Sequence, residues 1–415
     1  MHKQRPVVIR VIPEPAVLSA LDAFDPVCAR LYASRGVGSA AELDYGLAGL
    51  APVSSLDNIE AAVELLEAHR HNRIVIVGDF DVDGATSTAL MLRCLRAFGF
   101  SDVDYLVPNR FEYGYGLTPE IVRVAAERQP ALIVTVDNGI SSAAGVEEAK
   151  QRGIAVLVTD HHLPGSELPD ADVIVNPNLE GSKFPSRNLA GVGVAFYVLA
   201  ALGRSLDRAG QTGAAKVPAR FLDLVALGTV ADVVPLDYNN RILVQQGLDR
   251  IRRGLTVPGI EALLTQSGRL LPRTISTDLG FVAGPRINAA GRLEDISIGI
   301  ECLLTDDPAV AAEHARTLDQ INRERRDIEA TMREQAFAYV NSLDRRDWPS
   351  CVCVYEESWH QGVVGLIAAR VRELCHRPVI AFAKETDGQL KGSARSIPGV
   401  HARDLLEAVH GMYPE

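Results

Sequence analysis

Apolar runs and amphipathic stretches alternate along the first half of the chain. The runs are short and rich in Val, Ile and Leu, and they predict buried strands, whereas the longer mixed stretches between them predict helices. Strands that alternate with helices in this way indicate right-handed βαβ crossovers and a parallel sheet covered on both faces. The predicted strands are RIVIV, VDYLVP, ALIVTV, IAVLVT and DVIVNP, and the predicted helices are SLDNIEAAVELLEAHRH, ATSTALMLRCLRAF and AAGVEEAKQRG.

The second half of the chain contains a long polar helix and a second, shorter α/β pattern. No proline occurs between Pro308 and Pro349, and the charged segment between them predicts one helix of roughly ten turns that bridges two domains. Residues 351–385 then show the pattern strand, loop, helix, strand. We therefore expect an N-terminal segment over 1–50, a parallel-sheet α/β domain over 51–300, a connecting helix over 301–345 and a smaller, incomplete α/β domain over 346–415. The Gly-rich stretch 188–203 predicts close helix packing or a turn.

Composition narrows the class of protein but leaves the partner open. The chain has 415 residues, of which 47% are hydrophobic, as expected for two or three domains with cores of their own. It has neither an apolar run of about 18 residues, the length of a membrane span, nor a signal-peptide core, so we expect a cytoplasmic protein without a membrane partner. The net charge of -11 counts against a nucleic-acid partner, but bound metal or a local basic groove would offset it.

Acidic residues follow three of the predicted strands. Asp79, Asp81 and Asp83 come after RIVIV, Asp137 comes after ALIVTV, and the triplet Asp160-His161-His162 comes after IAVLVT. In parallel sheets, ligand-binding sites lie beyond the carboxyl ends of the strands. We therefore expect these side chains to lie together at that edge of the sheet. Each group alone also fits a capped turn or loop. Asp232, in GTVADVVPL, is a further carboxylate, with a polar turn between buried segments as the alternative.

The combined set points to a metal centre. Crowded carboxylates repel one another unless cations neutralise them, and this set has more ligands than one ion uses, so two divalent cations are implied. Carboxylates with imidazoles favour manganese over a purely oxygen-ligated magnesium site, although magnesium is the nearest substitute. A bimetallic site of this kind suits hydrolysis of a phosphoester.

Several motifs together resemble the DHH phosphoesterase superfamily, and within it the RecJ-type single-strand-specific DNA exonucleases. GDFDVDGATS, TVDNGI, TDHH and ALGTVADVVPL are similar to the four metal-binding motifs of the family, in the same order. The similarity continues through VPNRFEYGYGL, GPRINAAGRL, SWHQGVVGLIAAR and GSARSIPG, and so covers almost the whole chain from about residue 70. The resemblance implies a DHH catalytic domain joined by the long helix to a DHH-associated domain.

The resemblance also implies roles for individual residues. It makes Asp79, Asp81, Asp83, Asp137, His161 and Asp232 metal ligands, and it adds Asp160 and His162 to the catalytic group behind them. It further implies contacts with the DNA backbone or the 5′-terminal phosphate, to which a guanidinium fork and a hydroxyl donor are suited. The residues concerned are Arg110, Arg286, Ser393 and Arg395. Phe111, Tyr113, Tyr115 and Trp359 are candidates for base stacking, with core packing as the alternative.

The implied function is metal-dependent 5′-to-3′ hydrolysis of single-stranded DNA in repair and recombination, alongside a helicase and a single-strand-binding protein. The Gly-Gly-His motif and the OB-fold module of the family are not found after GSARSIPG, so we expect a fragment or a truncated gene. Alternatives with the same metal centre are a pyrophosphatase, an oligoribonuclease and a cyclic-dinucleotide phosphodiesterase. A non-catalytic replication scaffold of the same fold is a further alternative, although filled ligand positions argue against it.

Overall fold

The first domain is built on a parallel sheet. The computed structural model describes residues 13–107, 114–343, 348–385 and 388–413. Over these residues the sheet contains β1 (Ile74–Gly78), β2 (Val103–Leu106), β3 (Leu132–Val136), β4 (Ala155–Thr159) and β5 (Val173–Val175). Their order is β2-β1-β3-β4-β5, and every neighbouring pair is parallel. The predicted parallel α/β class is therefore confirmed.

Helices surround this sheet and continue into the second domain. Within the described ranges, none of them is both long and apolar enough to span a bilayer. They are α1 (Pro15–Ser19), α2 (Pro26–Ala33), α3 (Ile59–Ala68), α4 (Val82–Ala97), α5 (Pro119–Ala126), α6 (Ala143–Gln151), α7 (Gly191–Arg208), α8 (Leu222–Ala231), α9 (Tyr238–Arg252), α10 (Pro258–Gln266), α11 (Ser276–Asp278), α12 (Gly284–Leu293), α13 (Ser297–Leu304), α14 (Pro308–Ser342), α15 (Val364–Cys375) and α16 (Ala402–Met412).

The strands read as continuous apolar runs because both faces of the sheet are covered. Side chains alternate between two cores along each strand. Ile74 and Ile76 of β1 pack in the large core that contains α4 and α7, whereas Val75 and Val77 pack in a smaller core with residues of α5 and α6. The sheet is thus fixed from both sides, and the positions where its strands end are fixed with it.

The helix after β1 begins three residues before its predicted start, and capping side chains explain this start and that of α14. The helix after β1 begins at Val82 because Asp81 accepts hydrogen bonds from the backbone N–H of Asp83 and Gly84 and so caps it. The connecting helix α14 begins at Pro308, after its cap Asp307, where the predicted charged segment starts. Its 35 residues amount to about ten turns, as predicted.

The second domain contains a three-stranded sheet over the described residues. Its strands are β6 (Val352–Tyr355), β7 (Val379–Lys384) and β8 (Leu390–Arg395); β6 and β7 are parallel, and β8 is antiparallel to β7. Helix α14 contributes to both domains, because Leu318 lies in the large core and Met332 lies in the core of the second domain. Trp359 is 4% exposed in that second core, so core packing, not base stacking, is its role.

Candidate metal centre

Three neighbouring strands end side by side at one edge of the first sheet. The last residues of β1 and β3, Gly78 and Val136, pair with each other, and Val136 also pairs with the last residue of β4, Thr159. The next residue along each strand is an aspartate, and the parallel register therefore brings the three aspartates together. They are Asp79, Asp137 and Asp160.

Carboxylates from distant parts of the chain converge on one imidazole nitrogen. Nε2 of His161 lies 3.1 Å from Oδ1 of Asp137, 3.6 Å from Oδ2 of Asp232 and 3.9 Å from Oδ2 of Asp83. Asp232 reaches the site because it directly follows α8, which packs against α4 beside the sheet. Asp232, the ligand with the least support in the sequence, thus joins the group.

The side chains of Asp79, Asp81 and His162 complete the cluster. Ligand atoms of Asp79, Asp81 and Asp137 lie within 4.8 Å of one another, and the same holds for Asp137, His161 and His162. One oxygen of Asp81 is occupied as the cap of α4. All eight predicted members of the metal and catalytic group therefore lie in one place.

Backbone amides orient two of the carboxylates. Oδ2 and Oδ1 of Asp83 accept hydrogen bonds from the N–H groups of Gly191 and Val192, at 2.6 and 2.9 Å, where α7 begins. Oδ1 of Asp160 accepts from the His161 and His162 backbone N–H groups and lies 2.8 Å from His162 Nδ1. Asp160 is thus engaged in orienting the two histidines and is the least suited of the group to hold a cation.

The start of α7 tolerates only glycine beside the cluster. A Cβ on Gly191 would lie 2.6 Å from Cβ of Asp137. The sequence did not reveal this role, because the functional groups are backbone N–H groups. The only signal was a glycine-rich stretch opening an apolar helix, whose predicted close packing is confirmed. Asn288 was also missed: its Oδ1 accepts from the N–H of Val82, between two metal-site aspartates, and its signal is its place in GPRINAAGRL.

Burial and mutual repulsion raise the pKa values of the clustered carboxyl groups. Burial first, then Asp232, raises the pKa of Asp83 well above its ordinary value, and burial followed by Asp83 does the same to Asp137. Burial and then Asp81 raise the pKa of Asp232 to about 6. Ionising these carboxyl groups without a counter-ion is unfavourable. A bound cation would stabilise their ionised forms, so the site favours cation binding.

The two histidines are driven in opposite directions. Burial, followed by the neighbouring His162, lowers the pKa of His161 to about 4, so its imidazole is neutral at pH 7 and free to ligate a metal. The hydrogen bond with Asp160 raises the pKa of His162 to about 9. His162 is therefore suited to carry positive charge beside the cluster rather than to ligate.

The donor atoms fit a pair of divalent cations. Oδ1 of Asp137 and Nε2 of His161 are buried without a hydrogen-bond partner, although they lie 3.1 Å apart. Buried polar atoms are rarely left unsatisfied, and a shared cation would satisfy both. Carboxylates with one imidazole suit manganese, and magnesium where oxygen ligands dominate. A cavity of about 510 Å³ adjoins the cluster and is lined in part by Tyr115, His162 and Leu163.

One of the predicted substrate contacts, Arg286, lies on the first domain, and Arg110 falls outside the described residues. The Arg286 side chain is 11% exposed, its Nε and Nη2 lie 3.0 and 2.8 Å from Oδ1 of Asp319, and its Nη1 donates to the Val282 carbonyl. Because Asp319 belongs to α14 and Arg286 to α12, these bonds tie the two helices together.

The other two predicted contacts lie on the second domain. Ser393 and Arg395 stand on β8 beside the start of α15, where a Cβ on Gly365 would lie 3.1 Å from Ser393 Oγ and 3.2 Å from Arg395 Nη2. Burial, followed by Arg372, lowers the pKa of Arg395. A hydroxyl, a guanidinium and the first turn of a helix thus lie together, a combination that suits an anion.

Comparison with known proteins gives matches along the whole chain. Residues 73–229 match the model of the DHH family, N-terminal domain, and residues 349–415 match that of the DHHA1 domain. The single-stranded-DNA-specific exonuclease RecJ of Escherichia coli K12 is 53% identical over 422 residues, which cover 100% of this chain and 73% of that protein. The RecJ protein of Bacillus subtilis is 37% identical, over 86% of this chain and 44% of that protein.

Solved structures agree with these sequence matches. A crystal structure of exonuclease RecJ bound to manganese has a TM-score of 0.74 with 35% identity, and the match covers 85% of each chain. The crystal structure of RecJ from Thermus thermophilus in complex with Mn2+ has a TM-score of 0.81 with 32% identity, over 97% of this chain and 57% of that one.

Proposed function

The chain belongs to the RecJ family of DHH proteins, and from this premise we propose that it is a metal-dependent exonuclease that hydrolyses phosphodiester bonds of single-stranded DNA from a 5′ end. The observation that carries the proposal is the convergence of the Asp83, Asp137 and Asp232 carboxylates on Nε2 of His161. A cluster of this composition, beyond the carboxyl ends of a parallel sheet, has the ligands for two-metal hydrolysis of a phosphodiester.

The metal ligands in this proposal are the residues whose carboxylate or imidazole atoms lie together in the cluster. They are Asp79, Asp81, Asp83, Asp137, His161 and Asp232. Asp160 and His162 act behind them: Asp160 orients both histidines, and the positive charge of His162 attracts the negatively charged substrate. When bound, a pair of divalent cations activates water and stabilises the charge on the oxygens of a phosphoryl group. Manganese is the preferred ion in the proposal because the donor set includes an imidazole.

Substrate contacts are proposed on both domains. The group formed by Ser393, Arg395 and the start of α15 is suited to the terminal phosphate, which would explain a requirement for a 5′ end. Arg110 and Arg286 are proposed to contact the backbone. Because three N–H groups of Arg286 are already engaged with Asp319 and Val282, only its remaining donors serve DNA.

The cellular role in the proposal follows from the family. We place the protein in the cytoplasm, in DNA repair and recombination, where a helicase and a single-strand-binding protein would supply and cover the single strand. The proposed domain limits remain 1–50, 51–300, 301–345 and 346–415, with the connecting helix itself at Pro308–Ser342.

The proposal is tested with Asp137→Asn. Asp137 adopts a φ of 62°, which asparagine tolerates well, and its Oδ1 has no hydrogen-bond partner, so the variant should fold normally and lose a metal ligand. We expect wild-type protein with Mn2+ to release mononucleotides from 5′-phosphorylated single-stranded DNA, and the variant to be slower by a factor of about 100 or more.

Asp170→Asn is the matched control, since Asp170 is an exposed carboxylate that pairs with Lys150 on the surface. Duplex DNA, short RNA, a cyclic dinucleotide and pyrophosphate are offered in parallel. If the protein cleaved short RNA, the cyclic dinucleotide or pyrophosphate in preference to single-stranded DNA, the site would instead be assigned another DHH phosphoesterase activity. Undiminished hydrolysis by Asp137→Asn would remove the metal assignment.

A further inference from the structure

Two large apolar side chains are exposed near the end of α8, which leads into the metal-site residue Asp232. Val233, which follows Asp232, is 82% exposed, and Phe281 is 74% exposed. Scattered exposed apolar residues are ordinary on protein surfaces. These two differ in their position and, for Val233, in the conformation of the backbone that carries the side chain.

The backbone of Val233 is strained. Its φ is 65°, in the left-handed region, where a β-branched residue is a genuine outlier and glycine or asparagine is at ease. Burial of the side chain does not offset the free energy of this strain, because Val233 is among the most exposed of the large apolar residues in the described ranges. Backbone strain of this kind is common at functional sites. The exposed isopropyl group of Val233 is therefore a candidate for contact with bound substrate.

Phe281 stands on a segment that packs against the same helix end. It lies in a π-helical turn, Leu279–Ala283, that leads into α12. A Cβ on Gly280 would lie 3.2 Å from Cγ1 of Val230, and a Cβ on Gly284 would lie 3.3 Å from Cβ of Ala231. The turn therefore contacts the last residues of α8, immediately before Asp232 and Val233. The π-helical turn, a rare feature often found at functional sites, leaves Phe281 free of the core.

We propose that Val233 and Phe281 are specificity-determining residues that contact the faces of nucleobases next to the scissile phosphodiester. The inference rests on the proposed function, because it concerns the same substrate. An aliphatic group and an aromatic ring recognise a base through its face and make no hydrogen bonds to its edge, so the contact is tolerant of sequence. In a duplex the faces are covered by stacked neighbours, so the contact also favours unpaired strands.

The test combines protein variants with substrates that lack a base. One substrate is a 5′-phosphorylated oligothymidylate, and the others carry a tetrahydrofuran abasic residue at the first, second or third position. The variants are Val233→Ala, Val233→Gly and Phe281→Ala, with Phe281→Tyr as the conservative replacement and Leu270→Ala, an exposed residue elsewhere on the domain, as the control.

We expect Val233→Ala and Phe281→Ala each to lower kcat/KM on the intact strand about five- to tenfold, mainly through KM, because base stacking contributes at this level. On the strand whose abasic residue faces the altered side chain, each should lower it less than about twofold, because the contact is already missing. Phe281→Tyr, which keeps an aromatic ring, should lose less than Phe281→Ala does, and Leu270→Ala should behave as wild type. Val233→Gly should have the same activity as Val233→Ala. It should unfold at a higher temperature than Val233→Ala, because glycine adopts a positive φ without strain.

Equal losses on the intact strand and on every abasic strand would overturn the inference, since the side chains would then act without a base. Unchanged kinetics on the intact strand would overturn it as well. The failure of the proposed function looks different: wild-type protein would then release no nucleotide from any of these strands, and the base-contact role would fall with it.

Discussion

Replacing Asp232 with asparagine should stabilise the metal-free protein at neutral pH. Burial and the charge of Asp81 raise the pKa of Asp232 from 3.8 to about 6. Each unit corresponds to about 1.4 kcal/mol, and with 22% of the side chain exposed to solvent, ionising Asp232 costs the folded protein on the order of 2–3 kcal/mol. Asparagine cannot ionise, so the variant escapes this cost.

The sign of the effect fixes its pH dependence. The folded state holds the Asp232 proton more tightly than the unfolded state does, so the cost is absent well below pH 4, grows as the pH rises towards 6 and is complete above it. The advantage of Asp232→Asn should therefore be full at pH 7.5 and should vanish towards pH 4. With bound manganese, wild type should be more stable than the variant. The variant lacks one proposed metal ligand, so binding stabilises it less.

Thermal unfolding followed by circular dichroism measures both effects. In EDTA at pH 7.5 the Tm of the variant should exceed that of wild type by about 2–6 °C. With saturating Mn2+ wild type should unfold at the higher temperature. Asp170→Asn, which removes an exposed carboxylate, controls for the change in net charge. If the two proteins had the same Tm in EDTA, or if their Tm difference did not depend on pH, the claim that ionised Asp232 destabilises the folded protein would be refuted.

Three further changes probe the surroundings of the cluster. Gly191→Ala should weaken Mn2+ binding at least tenfold in calorimetry, because its Cβ collides with a ligand carboxylate, whereas Gly193→Ala, which meets only a flexible leucine side chain, should bind normally. Asp160→Asn should lower the pKa of His162 from about 9 towards its ordinary value, as measured by NMR titration, because the lost hydrogen bond is the main cause of the shift. Arg286→Ala should lower the free energy of unfolding by about 2 kcal/mol in urea, because it removes the charged hydrogen bonds between α12 and α14, although Arg323 still pairs with Oδ2 of Asp319.

The strand ends of the catalytic site were predictable from sequence. Strands buried on both faces are continuous apolar runs, so their ends are marked wherever an aspartate interrupts the run, as at Asp79 and Asp137. Parallel pairing then forces neighbouring ends together, and the structure adds only the distances. The same reasoning did not extend to Asp232, whose position depends on how α8 packs against α4, a tertiary contact between residues far apart in the chain.

Other features had no local signal. The hydrogen bonds that orient Asp83 come from backbone N–H groups at the start of α7, which any residue carries. Strand β8 was not predicted because it lies at the edge of its sheet and its residues are largely exposed, so no alternation of apolar and polar residues marks it. For Arg286, the family resemblance implies a contact with DNA, whereas its ion pair with Asp319 depends on how α12 packs against α14, which the sequence does not reveal.

Several carboxylates of the metal centre have hydrogen-bond partners within the protein. Asp83 and Asp160 are held by backbone N–H groups, and Asp81 caps α4, so these carboxylates have hydrogen bonds that do not depend on metal. The strands that carry the site are buried in cores that contain none of the ligands. In small zinc domains, by contrast, metal binding supplies the folding free energy itself. Removing the cations here should therefore leave the protein folded but lose their binding free energy and restore the repulsion among the carboxylates, and a neutral substitution at Asp232 should relieve part of that repulsion.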